Sequence, residues 1–110
     1  MTRGRMTRWG LLVEQNHGQG GQNRMWSVDV LGHVEGTRDE ALAELRRRAE
    51  TFVPMHPHKV RRRVVYRTGD GFLAVLDGAW QVFHCRFSVA EQLYDSAAPP
   101  EPAPEPRPEP

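Results

Sequence analysis

Apolar and polar residues alternate along several stretches of the chain. In residues 25–34, Trp26, Val28 and Val30 alternate with polar side chains. Because successive side chains of a strand point to opposite faces, this pattern predicts a strand with Trp26, Val28 and Val30 toward the core. Residues 9–15 predict a second short strand, and the loop-forming Gly and Asn residues between the two strands favour a hairpin.

The spacing of apolar residues changes to a helical one after residue 36. Thr37 and Glu40 have the spacing of a capping box, in which each side chain accepts a hydrogen bond from the other residue's backbone. An apolar stripe follows at intervals of three to four residues, formed by Leu42, Leu45, Ala49 and Phe52. Pro54 should end this helix, because the residue before a proline disfavours helical geometry.

Three further strands are predicted at residues 60–67, 72–76 and 79–87. Residues 69–71 form the first turn, and Asp77-Gly78 is typical of a two-residue type I′ hairpin. Ser88 and Glu91 resemble a second capping box, which predicts a short helix reaching Tyr94. The order ββαβββα predicts an α+β fold, with an antiparallel sheet of about five strands and helices packed on one face.

The strand alternation assigns residues to two faces of the sheet. A two-residue turn at Asp77-Gly78 would place Leu73 opposite Val82 and Phe72 opposite Phe83. The core face is then expected to contain Phe72, Ala74, Leu76, Phe83, Cys85 and Phe87, together with Trp26, Val28, Val30, Val64 and Tyr66. The opposite face is expected to contain Leu73, Val75, Trp80, Val82, His84, Arg86, Arg61, Arg63, Arg67, Ser27, Asp29 and His33.

This second face is the candidate binding surface, centred on Trp80, His84 and Arg86. Its other members are Arg61, Arg63, Arg67, Asp29 and His33. It could be an ordinary solvated face covered by arginine stems, or a surface for a protein partner or a homodimer, since Trp and Arg are enriched at interface hot spots. It could also bind single-stranded nucleic acid, with Trp80 stacking on a base and arginines contacting phosphates.

The charge balance limits these alternatives. The chain has 15 Lys and Arg against 14 Asp and Glu, which argues against tight, purely electrostatic binding of nucleic acid. The leading hypothesis is therefore a small non-enzymatic binding or regulatory module that contacts a protein partner or itself. Weak binding of single-stranded nucleic acid is the alternative.

The ends of the chain differ in composition from its centre. Residues 1–7 are basic and expected to be flexible, and residues 8–96 are expected to form one domain. Seven of the nine prolines lie in residues 99–110, so residues 97–110 predict a disordered Pro/Glu-rich tail. Neither a secretory apolar segment nor a membrane span is found, which predicts a cytoplasmic protein.

No catalytic, cofactor or metal site is predicted. His84 and Cys85 are adjacent, so a strand would direct them to opposite faces, and Cys85 is expected to be a small buried hydrophobe. Asp29 and His33 would share a face but lie about 13 Å apart, too far for a dyad. His56 and His58 lack further ligands with recognisable spacing, and the arginines at 46–48 are expected to cover a solvated helix surface.

Three segments resemble parts of small uncharacterised proteins of actinobacteria. They are WGLLVE at residues 9–14, VEGTRDEAL at 34–42 and CRFSVAE at 85–91. The resemblance implies a self-contained bacterial domain. It carries over no functional residues, because no established activity accompanies it.

Overall fold

The structure, a computed structural model, describes residues 7–17, 25–53, 60–79 and 81–97. Its elements are β1 (Thr7–His17), β2 (Met25–Gly36), α1 (Arg38–Thr51), β3 (Arg62–Arg67), β4 (Gly71–Asp77) and β5 (Val82–Glu91). The strands form one antiparallel sheet in the order β2-β1-β5-β4-β3. The predicted α+β class is therefore confirmed. The predicted tail, apart from Ala97, and residues 1–6 lie outside the described residues.

Helix α1 begins as the sequence predicts, and Leu45 and Ala49 of the predicted stripe are buried, whereas Leu42 and Phe52 are only partly buried. The Thr37 hydroxyl accepts a hydrogen bond from the Glu40 N–H at 3.1 Å, and the Glu40 carboxylate accepts one from the Thr37 N–H at 2.8 Å. The capping box thus satisfies backbone donors that the first helical turn leaves unpaired. The helix directs Ala41, Leu45 and Ala49 into the interior, and they are fully buried.

The core lies between α1 and one face of the sheet, which we call the helix face. Its buried strand residues come from the three central strands and are Leu11, Val13, Phe72, Ala74, Leu76, Cys85 and Phe87. The predicted core positions of β4 and β5 are therefore confirmed. The ring of Phe87 meets that of Phe52 edge-on, with centroids 5.5 Å apart, which joins the end of the helix to the sheet.

The predicted turn between β4 and β5 is wrong. Leu73 lies opposite Arg86 rather than Val82, and Phe72 lies opposite Phe87. The Gly78 N–H donates to the Gln81 carbonyl at 2.8 Å, so four residues rather than two connect the strands. The longer loop lets all seven residues of β4 pair with β5. The shift is four positions, an even number, so every side chain keeps its predicted face.

The predicted second helix is also wrong. Residues 88–91 continue β5 and pair with β1, with Ser88 opposite Leu12 and Glu91 opposite Trp9. Val89 packs against the core from this extension. Pairing with a neighbouring strand satisfies the backbone groups of these residues, and it outweighs the weak local preference of a capping box. Among the described residues, α1 is the only helix.

Strand β2 presents Trp26, Val28 and Val30 away from the core, contrary to the prediction. The pairing with β1 shifts by one residue, because Leu11 lies opposite Gly32 and Leu12 lies opposite Val30. Leu31 is the extra residue. A single extra residue reverses the alternation, so even-numbered residues point away from α1 before Leu31 and toward it after Leu31. Val34, beyond the shift, packs against the core.

Strand β3 likewise has the opposite orientation to the one predicted. Val64 lies opposite Val75 and Tyr66 opposite Leu73, which places both on the face away from α1. Arg63 is on the helix face, where its guanidinium donates to the Ala49 carbonyl at 3.1 Å. Apolar residues occupy both faces of β3, so alternation does not determine its orientation. The free carbonyls at the end of α1 favour an arginine there.

Candidate binding surface

The face of the sheet opposite α1 carries no other element in the described part of the chain, and we call it the open face. Its side chains follow from the strand register, since directly opposed residues share a face. They are Trp26, Val28, Val30, His33 and Glu35 of β2; Arg8, Leu12, Glu14 and Asn16 of β1; Val82, His84, Arg86, Ser88 and Ala90 of β5; Leu73, Val75 and Asp77 of β4; and Arg62, Val64 and Tyr66 of β3.

Five large apolar side chains are exposed on the open face. They are Trp26, Val28, Val30, Tyr66 and Val82, and their exposed fractions range from 46% for Trp26 to 57% for Val30. Single exposed apolar residues are common, but a group on one face is typical of an interaction surface. Leu12, Leu73 and Val75 are partly buried between these positions.

Trp26, Arg86 and Glu14 form a chain of contacts across the open face. The Arg86 guanidinium carbon lies 5.3 Å from the centroid of the Trp26 ring, within the range of a cation–π interaction. The same guanidinium lies 3.4 Å from a carboxylate oxygen of Glu14. These residues belong to three adjacent strands, so the contact crosses the sheet from its β2 edge to β5.

The charges of the open face cancel. Arg8 lies 3.5 Å from Glu35, and Arg86 lies 3.4 Å from Glu14. Arg62 lies opposite Asp77 in the register of β3 and β4. Each arginine thus has an acidic residue on a neighbouring strand. The described residues of this face therefore do not present the excess of positive charge that nucleic-acid binding requires.

The structure separates the residues predicted to form one surface. His33, His84 and Arg86 lie on the open face, as predicted. Arg63 and Arg67 lie on the helix face, as does Asp29, which is opposite Val13. Their predicted positions are wrong for the reasons given for β2 and β3.

Arg61 and Trp80 are the two other members of the predicted surface. Arg61 precedes β3, and its backbone N–H donates to the Asp77 carbonyl at 2.7 Å. Continuing the alternation of β3 would direct its side chain to the same side as Arg63, not toward Arg86. Trp80, the predicted centre of the surface, lies outside the described residues.

Trp26 is the largest side chain of the open face that the sequence pattern had predicted to be in the core. The alternation within β2 separates Trp26 from Ser27 and Asp29. It does not by itself show which of the two sets of side chains faces α1. The sequence signal for the reversed alternation is Gly32, which lies beside the extra residue Leu31. A glycine inside a strand often accompanies a bulge or a close approach. Here the Arg48 guanidinium approaches the position that a side chain at Gly32 would occupy.

The described residues assemble neither of the acid–base pairs considered from the sequence. His84 is exposed on the open face, whereas Cys85 is buried beneath α1, as expected from the alternation. Asp29 and His33 lie on opposite faces because of the shift at Leu31, so the expectation that they share one is wrong. Burial raises the pKa of the Cys85 thiol to about 11, although the charge of Arg63 acts in the opposite direction.

Cys85 should make stability sensitive to alkaline pH. Its pKa is higher in the folded protein than in the unfolded chain, so the neutral thiol contributes stability that is fully present below the unfolded value, near 9.0, and is lost as the pH rises toward about 11. We expect the free energy of unfolding to fall more steeply between these pH values in the wild type than in Cys85→Ala. Denaturant titrations at several pH values measure it. Parallel curves for the two proteins would contradict the buried thiol.

Within the residues that the structure describes, no three His, Cys, Asp or Glu side chains are grouped so as to hold a metal ion. His56 and His58 lie outside this part of the chain. Helix α1 is too short and too polar to cross a membrane, and no other helix is described.

Comparisons with known proteins add no functional assignment. The chain matches no protein-family model, no curated protein and no solved structure.

Proposed function

We propose that this protein is a non-enzymatic binding module whose open face packs against the open face of a second copy. The observation that supports this is that the described residues of one face combine five exposed apolar side chains with a net charge of zero. Such a face gains free energy by removing apolar surface from water. It offers little to a strongly charged partner.

The charge balance favours a second copy over a charged partner. A charged surface would have to give up solvation on meeting a neutral face, without ion pairs to compensate. The same face of another copy is equally neutral and equally apolar. Two sheets pack through apolar faces at about 10 Å, and a two-fold axis lets one patch serve both subunits.

The dimensions of the open face are suitable for such an interface. Five strands spaced about 4.8 Å apart give a width of about 24 Å, and their average length of about nine residues gives about 30 Å. The footprint is therefore about 700 Å², before the relief of the side chains is included. A stable interface of standard size buries about 800 Å² on each partner.

Val28→Glu is expected to break this association. Val28 is more than half exposed, so glutamate costs the monomer little, whereas in the dimer it would bury an unpaired carboxylate. We expect the wild type to sediment as a dimer and Val28→Glu to weaken association by about a hundredfold or more. The experiment is sedimentation equilibrium on the full chain.

Val53→Glu is the matched control. Val53 is 62% exposed but follows α1 and lies outside the sheet, so the same substitution should leave association unchanged. A wild type that stays monomeric up to about 0.1 mM would overturn the proposal. So would a dimer that both glutamate variants weaken equally, because the contact would then not be specific to the open face.

Weak binding of single-stranded nucleic acid stays a prediction without structural support of its own. The arginines proposed to contact phosphates do not share a face with Arg86, since Arg63 and Arg67 lie beside α1. The open face has no unbalanced arginine among the described residues. Self-association is therefore the function that the geometry supports best.

A further inference from the structure

A second surface feature lies on the other side of the sheet, where one flank of α1 meets the turn between β3 and β4. A cleft of about 480 Å³ is open there. We call it the arginine cleft, and its main lining residues are Arg38, Leu42, Arg46, Arg67, Thr68 and Phe72. The three helix residues recur every four positions, so they form one side of α1.

The arginine cleft has an excess of positive charge. Among the described residues that line it, Asp39 is the one acidic residue, against three arginines. The Arg67 backbone pairs with Phe72 in the sheet, whereas its side chain has neither a hydrogen bond nor an ion pair within the described ranges. Arg38 uses one N–H to reach the Gly69 carbonyl at 3.2 Å, and Arg46 pairs with Glu50 at 3.0 Å. An arginine has five N–H donors, so Arg38 and Arg67 keep most of theirs for a ligand.

The floor and wall of the cleft differ from an ordinary charged surface. Phe72 is only 6% exposed and Leu42 is partly buried, so the floor is apolar. The Thr68 hydroxyl oxygen is the single buried side-chain polar atom without a hydrogen-bond partner in the part of the chain that is described. Because this oxygen has almost no exposed surface, a ligand in the open cleft cannot reach it, so the apolar floor is what distinguishes the cleft.

We propose that the arginine cleft binds an organic oxyanion. Arg67 and Arg38 hold the carboxylate or phosphate group, and the apolar body of the ligand contacts Leu42 and Phe72. The planar guanidinium matches both oxyanions with two parallel hydrogen bonds. The volume lies within the usual range for sites of small ligands. The cleft is on the opposite side from the open face, so the proposal is independent of self-association.

Two sources could supply this oxyanion. One is a separate small molecule. The other is the chain itself, whose sequence contains Glu101, Glu105 and Glu109 beyond β5. Ser88 of β5 pairs with Gly71, and the Val89 N–H donates to the Asp70 carbonyl, so β5 runs beside the turn that bounds the cleft.

The test is a titration of the full chain with phenyl phosphate, followed by the chemical shifts of backbone amides. We expect saturable shifts at Ala43, Gly69 and Gly71, and about tenfold weaker binding by Arg67→Gln. Inorganic phosphate should bind more weakly than phenyl phosphate, because it lacks the apolar body. Arg62→Gln is the matched control, since Arg62 lies on the same strand but on the open face.

Two results would overturn the proposal. One is an Arg67→Gln variant that binds phenyl phosphate as tightly as the wild type does. The other is a set of shifts spread over the arginines of both faces. A variant that combines Glu101→Gln, Glu105→Gln and Glu109→Gln then separates the sources. Tighter binding by this variant would mean that the chain's own carboxylates occupy the cleft, and unchanged binding would mean that it receives a separate anion.

Discussion

Gly71→Ala is expected to destabilise the fold by about 3 kcal/mol, a large share of the stability of a small domain. A Cβ at this position would overlap the carbonyl oxygen and carbonyl carbon of Phe87 on the neighbouring strand. These are backbone atoms, and Gly71 and Ser88 are paired directly across the ladder. Neither strand can move away without breaking hydrogen bonds, so the methyl group cannot be accommodated by a change of rotamer.

Gly69→Ala is the matched control, two residues earlier, in the turn that precedes β4. A Cβ there would meet nothing within 4 Å. We expect its free energy of unfolding in urea to stay within about 0.5 kcal/mol of the wild-type value. Equal losses of stability in the two variants would show that the turn, rather than contact with β5, is responsible. A stable Gly71→Ala protein would contradict the close approach of β4 and β5.

The helix could be predicted from the sequence because its determinants are local. Thr37 and Glu40 are three residues apart, and the apolar stripe needs only the helical repeat. The structure confirms the capping box and the burial of Leu45 and Ala49, and it contains an ion pair between Glu44 and Arg48 at 3.0 Å, one helical turn apart. That pair is the principal reason that the pKa of Glu44 is lowered. None of these features depends on distant parts of the chain.

The faces of β4 and β5 were predicted correctly, because the error in their pairing left the alternation of side chains unchanged. The β4–β5 loop is two residues longer than expected, yet Cys85 and Phe87 stay buried because the register moves by an even number of positions. In β2, the extra residue Leu31 reverses the alternation, and the prediction therefore placed Trp26 on the wrong face. Whether a strand contains such a residue depends on its partner and on the packing of α1, which the sequence pattern of one strand does not show.

The candidate surface changed in character for the same reason. The prediction combined Arg63 and Arg67 with Arg86 on one mixed, basic face. The structure gives the open face Trp26 and Tyr66 and places Arg67 beside α1, in the arginine cleft. The error therefore merged two surfaces of different chemistry, one apolar and neutral, the other basic. Separating them replaces one mixed candidate by two independent hypotheses.

Phe87→Ala and Tyr66→Ala should differ strongly in stability, and this pair tests which aromatic residues are in the core. Phe87 is fully buried and contacts Phe52, so its removal leaves a cavity and should cost about 3–5 kcal/mol. Tyr66, which the alternation placed in the core, is 54% exposed on the open face. Its removal should cost about 1 kcal/mol, since roughly half of its apolar area stays in water before unfolding.

The comparison needs conditions in which only the monomer is present, because Tyr66 also belongs to the proposed dimer surface. Urea unfolding of both variants in the Val28→Glu background meets this condition. There, Tyr66→Ala should stay close to its parent while Phe87→Ala unfolds at much lower urea. If the two substitutions cost the same, Tyr66 would be as buried as Phe87, the orientation of β3 would be reversed, and Arg67 would return to the open face. That single result would remove both the neutral face and the arginine cleft.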